Sequence, residues 1–165
     1  MAEKLLAERL QPSLLDRLTD DAPGEQAESR DSRVIDLREL REIVLRDLIS
    51  LLNTTRHESL VDLGAYPNVA TSTINYGVPD FAGATLNRTR ALELQRDIRD
   101  AIIAFEPRIL PDSLEVRVVE DSQAAPNHLY FDIRGDLWAQ PLPVELYMRT
   151  ELDVSTGDIS LRRTG

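Results

Sequence analysis

VELYMRTELDV, residues 144–154, decides the fold, because every second side chain in this stretch suits a buried position. A period of two is typical of a β-strand with one face on a core and the other in water. The turn-forming residues STGD (155–158) and the short run ISLRR (159–163) follow directly, and together they predict a hairpin. The alternating positions are Val144, Leu146, Met148, Thr150, Leu152 and Val154.

Two further strands are predicted upstream of this hairpin. LEVRVV (114–119) and LYFDIRGDLW (129–138) alternate in the same way, and Gly135 in the second predicts a bulge or bend. Consecutive strands with short connections and one polar face predict an antiparallel meander of about four strands. Such a sheet has an apolar face that other elements must cover.

Two helices are predicted to cover that face. The first lies within 34–53, with Asp36 as its N-cap and Asn53 as its stop. The second spans 87–105 and ends before Pro107, which disfavours helical geometry at the preceding residue. The fold class is therefore α+β, with two main helices packed on the meander. The apolar stripes are Leu37, Leu40, Val44, Leu48 and Leu51 in the first helix, and Ala91, Leu94, Ile98, Ala101 and Phe105 in the second.

The start of the chain is organised differently from the rest. Residues 1–18 form a leucine-bearing amphipathic segment, and 19–33 is an acidic, turn-rich stretch that we interpret as a flexible linker. Residues 34–165 then form a single domain. Two interpretations of the first segment are open: a terminus that folds back on its own domain, or a short recognition helix that docks on another protein. Its leucines at helical spacing are Leu14, Leu15 and Leu18.

The composition excludes several classes of function. A net charge of −10 argues against general binding to nucleic acids or anionic membranes. The chain has no cysteine, and its two histidines, His57 and His128, lie 71 positions apart, so we expect no metal site. No apolar run approaches the length of a membrane span, and the N-terminus does not have the pattern of a signal peptide. We therefore expect a cytoplasmic protein.

Residues 54–85 lack periodicity and form a long loop, and loops of this length favour a functional role. Within the stretch STINYGVPDFAG, Tyr76 and Phe81 are candidate aromatic anchors. Gly77 and Gly83 can take backbone angles that other residues avoid. The simpler interpretation of the stretch is packing between elements.

Catalytic motifs are scarce in this sequence. There is no Gly-x-Ser-x-Gly elbow and no glycine-rich phosphate loop, so we expect no cofactor. A glycosidase-like carboxylate pair could combine Glu106 with Asp112 or Asp132, but nothing places these acids in a sugar-sized cleft. Trp138 is the only tryptophan, so aromatic platforms for sugars are also scarce. We expect the protein not to be an enzyme.

Within AFEPRIL, an acid and a base flank a proline just after the second helix. Local capping explains all three residues: Pro107 ends the helix, Arg108 suits the helix dipole and Glu106 is solvated. The alternative is a rigid corner that presents Glu106 and Arg108 to a partner through paired ion bridges. Both interpretations remain open on these residues alone.

Several motifs, in this order, resemble the TssE family, the small baseplate component of type VI secretion systems. That family is related to a wedge protein of contractile phage tail baseplates, which has often been labelled lysozyme-like. The resemblance covers residues 14–162. It is carried by LLDRL (14–18), LRDLISLLNTTR (45–56), NYGVPDFAG (75–83), FEPRIL (105–110) and LDVSTGDI (152–159).

The resemblance implies a non-enzymatic, structural protein of a cytoplasmic baseplate that is docked at the inner membrane. The implied partners are the wedge subunits TssF and TssG, possibly TssK, and the sheath subunits TssB and TssC, with no nucleic acid and no membrane insertion. The protein would be a monomer alone and present in six-fold copies in the baseplate. Two alternatives from other classes are a peptidoglycan hydrolase, as the lysozyme-like label suggests, and a soluble adaptor for an effector.

The resemblance also implies roles for particular residues. The family's Glu-Pro-Arg signature, which docks the sheath, falls here on Glu106, Pro107 and Arg108. The sheet implies a second docking surface, where the late strands, 144–154 and 159–163, would take up a strand from the sheath. The leucine spacing and the linker behind it predict that Leu14, Leu15 and Leu18 tether the protein to the wedge. The remaining match, which we interpret as structural, is Asn75, Tyr76 and Gly77.

Overall fold

A computed structural model of the chain describes residues 13–19, 24, 35–83, 87–119, 127–138 and 143–163. Only the end of the predicted amphipathic segment 1–18 is therefore described. The predicted linker 19–33 lies outside the described residues apart from Thr19 and Gly24. The division of the chain into segment, linker and domain stays a prediction.

The described residues form four α-helices, two short 3-10 helices and four strands. The α-helices are α1 (Leu14–Leu18), α2 (Leu37–Leu52), α3 (Pro67–Ala70) and α4 (Arg88–Phe105). The 3-10 helices are His57–Ser59 and Thr73–Asn75, and the strands are β1 (Glu115–Val119), β2 (His128–Leu137), β3 (Val144–Asp153) and β4 (Ile159–Arg163). The strands form one antiparallel sheet in the order β1-β2-β3-β4, which confirms the predicted α+β class and meander.

The two central strands, β2 and β3, pair along their full ten residues. The bulge predicted at Gly135 is wrong, because Gly135 pairs in regular register with Leu146. The glycine instead permits a close approach: a Cβ atom at Gly135 would lie 3.0 Å from the side chain of Ile109, which bridges to Leu137. A side chain here would require Ile109 to shift by a few tenths of an ångström.

The predicted ends of α2 are confirmed. The Asp36 side chain accepts a hydrogen bond from the Glu39 backbone N–H at 2.8 Å, as an N-cap does. At the other end, the Asn53 amide donates to the carbonyls of Ile49 and Ile159, both at 2.8 Å, and accepts from the Ile159 N–H at 2.9 Å. Asn53 therefore ends the helix and also fastens it to β4.

The core lies between the sheet and the two long helices. The predicted stripes are buried except for Leu37, which is 42% exposed, and Phe105, which is only partly buried. Leu52 and Ile102 lie outside the stripes and are fully buried. Leu37 lies in the first turn of α2, and the core contacts of this helix begin one turn later, at Leu40. Side chains with 1% exposure or less include Val44, Leu48, Leu94, Ile98, Phe131, Ile133, Met148 and Leu152.

Asn75, Tyr76 and Gly77 stabilise the loop between α2 and α4. The buried Asn75 side chain accepts from the Glu58 N–H at 2.8 Å and donates to the Ala70 carbonyl at 2.9 Å. The Tyr76 ring meets Phe105 of α4 edge to face, with centroids 5.3 Å apart. Gly77 has φ +121°, and a Cβ atom there would lie 2.1 Å from the carbonyl oxygen of Thr54.

We therefore predict that Gly77→Ala destabilises the protein severely. The free energy of unfolding should fall by more than about 3 kcal/mol, since backbone strain of roughly 1–3 kcal/mol adds to the overlap with Thr54. Gly83→Ala is the matched control, because Gly83 also has a positive φ, +70°, but a Cβ atom added there would have no other atom within 4 Å. The free energy of unfolding of Gly83→Ala should fall by only about 1–2 kcal/mol. Urea unfolding of both variants measures the difference, and equal losses would contradict this explanation.

Candidate docking site

The Glu-Pro-Arg corner, formed by Glu106, Pro107 and Arg108, begins where α4 ends. The Glu106 N–H still donates to Ile102 in the last helical turn, at 2.9 Å, and Pro107 is exposed. The chain then turns and runs beside the end of β2. There the Trp138 N–H donates to the Arg108 carbonyl at 2.7 Å. The corner is thus fixed on one side by the helix and on the other by the sheet.

Glu106 is buried, with 4% of its surface exposed, and its carboxylate is fully engaged by Arg108. The guanidinium donates from Nε to Oε1 at 2.6 Å and from Nη2 to Oε2 at 2.5 Å, and the Arg108 backbone N–H also donates to Oε1, at 3.1 Å. The capping interpretation predicted that Glu106 is solvated, and this prediction is therefore wrong. The bond to Glu106 also raises the pKa of Arg108 above its ordinary value, although burial acts in the opposite direction.

The ion pairs continue from the corner across α2 to α1. Arg108 Nη2 also donates to Asp47 Oδ2 at 2.6 Å. The other oxygen of Asp47 accepts from Arg46, at 2.7 Å and 3.0 Å, and Arg46 Nη1 lies 2.7 Å from Asp16 of α1. Five residues from three elements therefore form one chain of alternating charge: Asp16, Arg46, Asp47, Arg108 and Glu106.

Arg108 keeps donors for a further partner. Its side chain is 26% exposed, and Nη1 makes no hydrogen bond to any residue in the described part of the chain. Glu106, by contrast, has neither exposure nor a free oxygen. The corner can thus offer a partner a cation held in a fixed orientation, and the carboxylate acts as a positioning group behind it.

The short helix α1 presents its apolar side chains to solvent. Ser13 caps it, accepting from the Asp16 N–H at 3.4 Å, and Asp16 joins it to α2 through Arg46. A terminus folded back on its own domain would bury its leucines in the core. The exposures here are instead 71% for Leu14, 66% for Leu15 and 74% for Leu18.

The predicted sheet-edge surface is smaller than the sequence implied. β3 is an internal strand, because β4 pairs with it over residues 148–152. Residues 144–147 pair with β2 on one side, and no strand in the described ranges pairs with their other side. The open edge of the sheet at this end therefore consists of the outer side of β4 and that short part of β3.

Glu106 and Asp132, two acids of the candidate carboxylate pairs, each have partners within the protein. Glu106 is enclosed by Arg108, whereas Asp132 accepts from Arg149 at 2.8 Å and from the Tyr147 hydroxyl at 2.9 Å. Within the described ranges, no group of three or more acidic or histidine side chains is arranged to hold a metal ion. No described helix has the length and apolar character needed to cross a membrane.

Comparison with known proteins identifies the family. The model of the baseplate wedge protein gp25 family matches residues 38–142, and the chain belongs to this family. The match includes α2, the Glu-Pro-Arg corner, β1 and β2, whereas α1, β3 and β4 lie outside it. A comparison with curated proteins finds no match. Among solved structures, a chain of "The baseplate complex from the type VI secretion system" is similar at 18% identity and a TM-score of 0.45, over 69% of this chain and 94% of that one.

We predict that Arg108→Ala unfolds more easily by about 3–5 kcal/mol, because it leaves the buried Glu106 carboxylate unpaired. The free energy of unfolding of Glu106→Gln/Arg108→Gln should fall much less, since neither side chain then carries a charge. Urea unfolding of Glu106→Gln, Arg108→Gln and the double variant completes a thermodynamic cycle. Losses that simply add would show that the pair makes no special contribution.

A second prediction concerns the attachment of α1 and its dependence on pH. Burial raises the pKa of Asp16, but the hydrogen bonds from Ser13 and Arg46 lower it by more, so the net pKa is below 3.8. Since the folded-state pKa is depressed, the attachment is fully present above pH 3.8 and is lost as the pH falls through the folded value. This exposed pair contributes only about 0.2–1 kcal/mol.

NMR chemical shifts of α1 measure this attachment. They should stay constant from neutral pH to about pH 5 and then move in acid towards the shifts that Asp16→Asn shows at neutral pH. Glu42→Gln, which removes the exposed Arg38 pair on α2, is the control and should leave α1 unchanged. If Asp16→Asn does not move the α1 signals at neutral pH, the ion pair does not hold the helix.

Proposed function

We propose that this protein is the TssE-like component of a type VI secretion baseplate wedge, where it docks the contractile sheath. Membership of the baseplate wedge family supports the structural role. The single observation that carries the docking proposal is Arg108, which two carboxylates orient while its Nη1 makes no hydrogen bond to the residues that the structure describes. We expect a cytoplasmic protein, at a baseplate docked on the inner membrane.

Arg108 is already oriented before a partner binds. This favours a higher affinity for the partner and fixes the position in which the partner docks. A free arginine side chain loses about 2 kcal/mol of rotamer entropy when it is fixed, and here Glu106 and Asp47 fix it in the unbound protein. A carboxylate or carbonyl of a sheath subunit, TssB or TssC, would accept from Nη1 in a charge-assisted bond. Because the guanidinium plane is fixed, the direction of that bond is fixed as well.

The leucines of α1 serve a different contact in this proposal. Leu14, Leu15 and Leu18 together form an exposed apolar face on a helix that an ion pair joins to α2. Such a face suits a groove of a wedge subunit, TssF or TssG, with TssK a further candidate. The open sheet edge at β4 and residues 144–147 is a second candidate surface for the sheath, through strand addition.

The peptidoglycan hydrolase alternative receives no support from Glu106, whose two oxygens accept from Arg108 within the protein. A general acid needs an accessible proton next to the leaving group. Clearing of purified sacculi that depends on Glu106 would overturn our proposal. Stable partners outside the secretion apparatus would instead favour the adaptor alternative.

The test is sheath assembly in live cells that carry a fluorescent sheath subunit. Since Arg108→Ala is expected to unfold easily, Glu106→Gln/Arg108→Gln is the informative variant, provided that it melts near the wild type. We expect the frequency of sheaths to fall at least about tenfold, as for a lost interface hot spot. Arg99→Gln, which removes a half-exposed arginine of α4, is the matched control and should assemble normally. Normal assembly in the folded double variant would refute docking at the corner.

A further inference from the structure

The loop between α2 and α4 carries a small lobe, residues 57–75, that the Glu-Pro-Arg corner does not involve. It contains α3 and the two 3-10 helices, His57–Ser59 and Thr73–Asn75. The Asn75 side chain joins all three, because it accepts from Glu58 of the first 3-10 helix and donates to Ala70 of α3. Leu63 is buried beneath the lobe.

The lobe exposes more apolar surface than its size requires. Four of the eleven exposed large hydrophobic side chains among the described residues fall within the fifteen positions 60–74. Single exposed hydrophobics are ordinary, but a concentration of them on one small element is typical of a binding surface. The exposures are 79% for Leu60, 49% for Val61, 62% for Tyr66 and 65% for Ile74.

Several contacts hold the lobe rigidly on the domain, so this exposure belongs to an ordered surface. The chain on either side of it is paired: Arg56 N–H donates to the Val78 carbonyl and Val78 N–H to the Thr54 carbonyl, both at 2.8 Å. Tyr76 packs on Phe105 at its end. A surface that is ordered before binding does not lose that freedom when a partner docks.

The charge on this surface has one sign. The stretch 57–80 contains no lysine or arginine and three acids, Glu58, Asp62 and Asp80. The carboxylates of Asp62 and Asp80 each accept a backbone N–H two residues on, at 2.9 Å, and these bonds leave the negative charge unbalanced. Of these three acids, Glu58 is the one with an ion pair among the described residues, to Arg56 at 3.5 Å.

We propose that this lobe is an additional protein-binding surface, and that its occupant is an apolar segment flanked by lysine or arginine side chains. The apolar side chains would cover exposed side chains such as Leu60, Tyr66 and Ile74, and the basic ones would meet the carboxylates of the stretch 57–80. A second copy of this chain is a poor occupant, because its lobe carries the same negative charge and the whole chain has a net charge of −10. The surface is independent of the Glu-Pro-Arg corner, so each can fail without the other.

The test uses the isotope-labelled full chain and two synthetic amphipathic helical peptides. One peptide combines leucine with lysine, and the other has glutamate in place of each lysine. We expect the lysine peptide to shift backbone amide signals mainly within 57–75 and the glutamate peptide to leave them unchanged. Leu60→Ser/Ile74→Ser should weaken the binding at least about fivefold. Leu92→Ser, at a leucine on α4 that is 43% exposed, is the control and should bind normally.

A second pair of substitutions tests the contribution of the negative charges to peptide binding. Asp62→Asn/Asp80→Asn keeps an oxygen for both backbone hydrogen bonds and removes both charges. This variant should bind the lysine peptide more weakly, and its binding should depend less on salt.

Four results would overturn the proposal. Amide shifts outside the lobe, or undiminished binding by Leu60→Ser/Ile74→Ser, would show that the peptide binds elsewhere. Equal binding of the glutamate peptide would refute the basic character of the occupant. Concentration-dependent shifts of the lobe amides in the free protein would make a second copy the occupant.

Discussion

The burial of the Glu106 carboxylate is the constraint on which the arrangement around it depends. A buried carboxylate is costly unless its charge is balanced and its oxygens accept hydrogen bonds. Arg108 supplies both through its guanidinium Nε and Nη2, and Asp47 accepts a further hydrogen bond from the same Nη2. The end of α4, the middle of α2 and the end of β2 therefore meet at one place, because the Arg108 backbone also pairs with Trp138.

The regular part of the fold could be predicted from the sequence, because local patterns determine it. The period of two located all four strands to within about one residue, and Asp36 and Asn53 marked the ends of α2. The predictions that failed concern features that depend on contacts between distant residues. Gly135 lacks a side chain because Ile109 lies against it, not because the strand bulges, and Leu37 has the correct helical spacing but lies beyond the core contacts.

The same distinction applies to the candidate site. The sequence singled out Glu106 and Arg108 but predicted either a solvated acid or two charges offered side by side. The burial of Glu106 depends on tertiary packing, and the Asp47 contact joins residues 61 positions apart. Arg46 and Asp47 lie within LRDLISLLNTTR, and Asp16 lies within LLDRL, so the motifs contained the missing members of the network. Nothing in the spacing of these motifs indicated that they meet.

Stability by itself does not explain why this network consists of charged side chains. Replacing a buried ion pair with apolar side chains of similar volume is often neutral or stabilising, so stability alone does not require Glu106 and Arg108. An apolar pair could fill the corner but could not hold a cation in a set direction with two donors left over. The exposed leucines of α1 follow the same logic, since burying them would stabilise the isolated chain. In both places the protein keeps a feature that its own stability does not require.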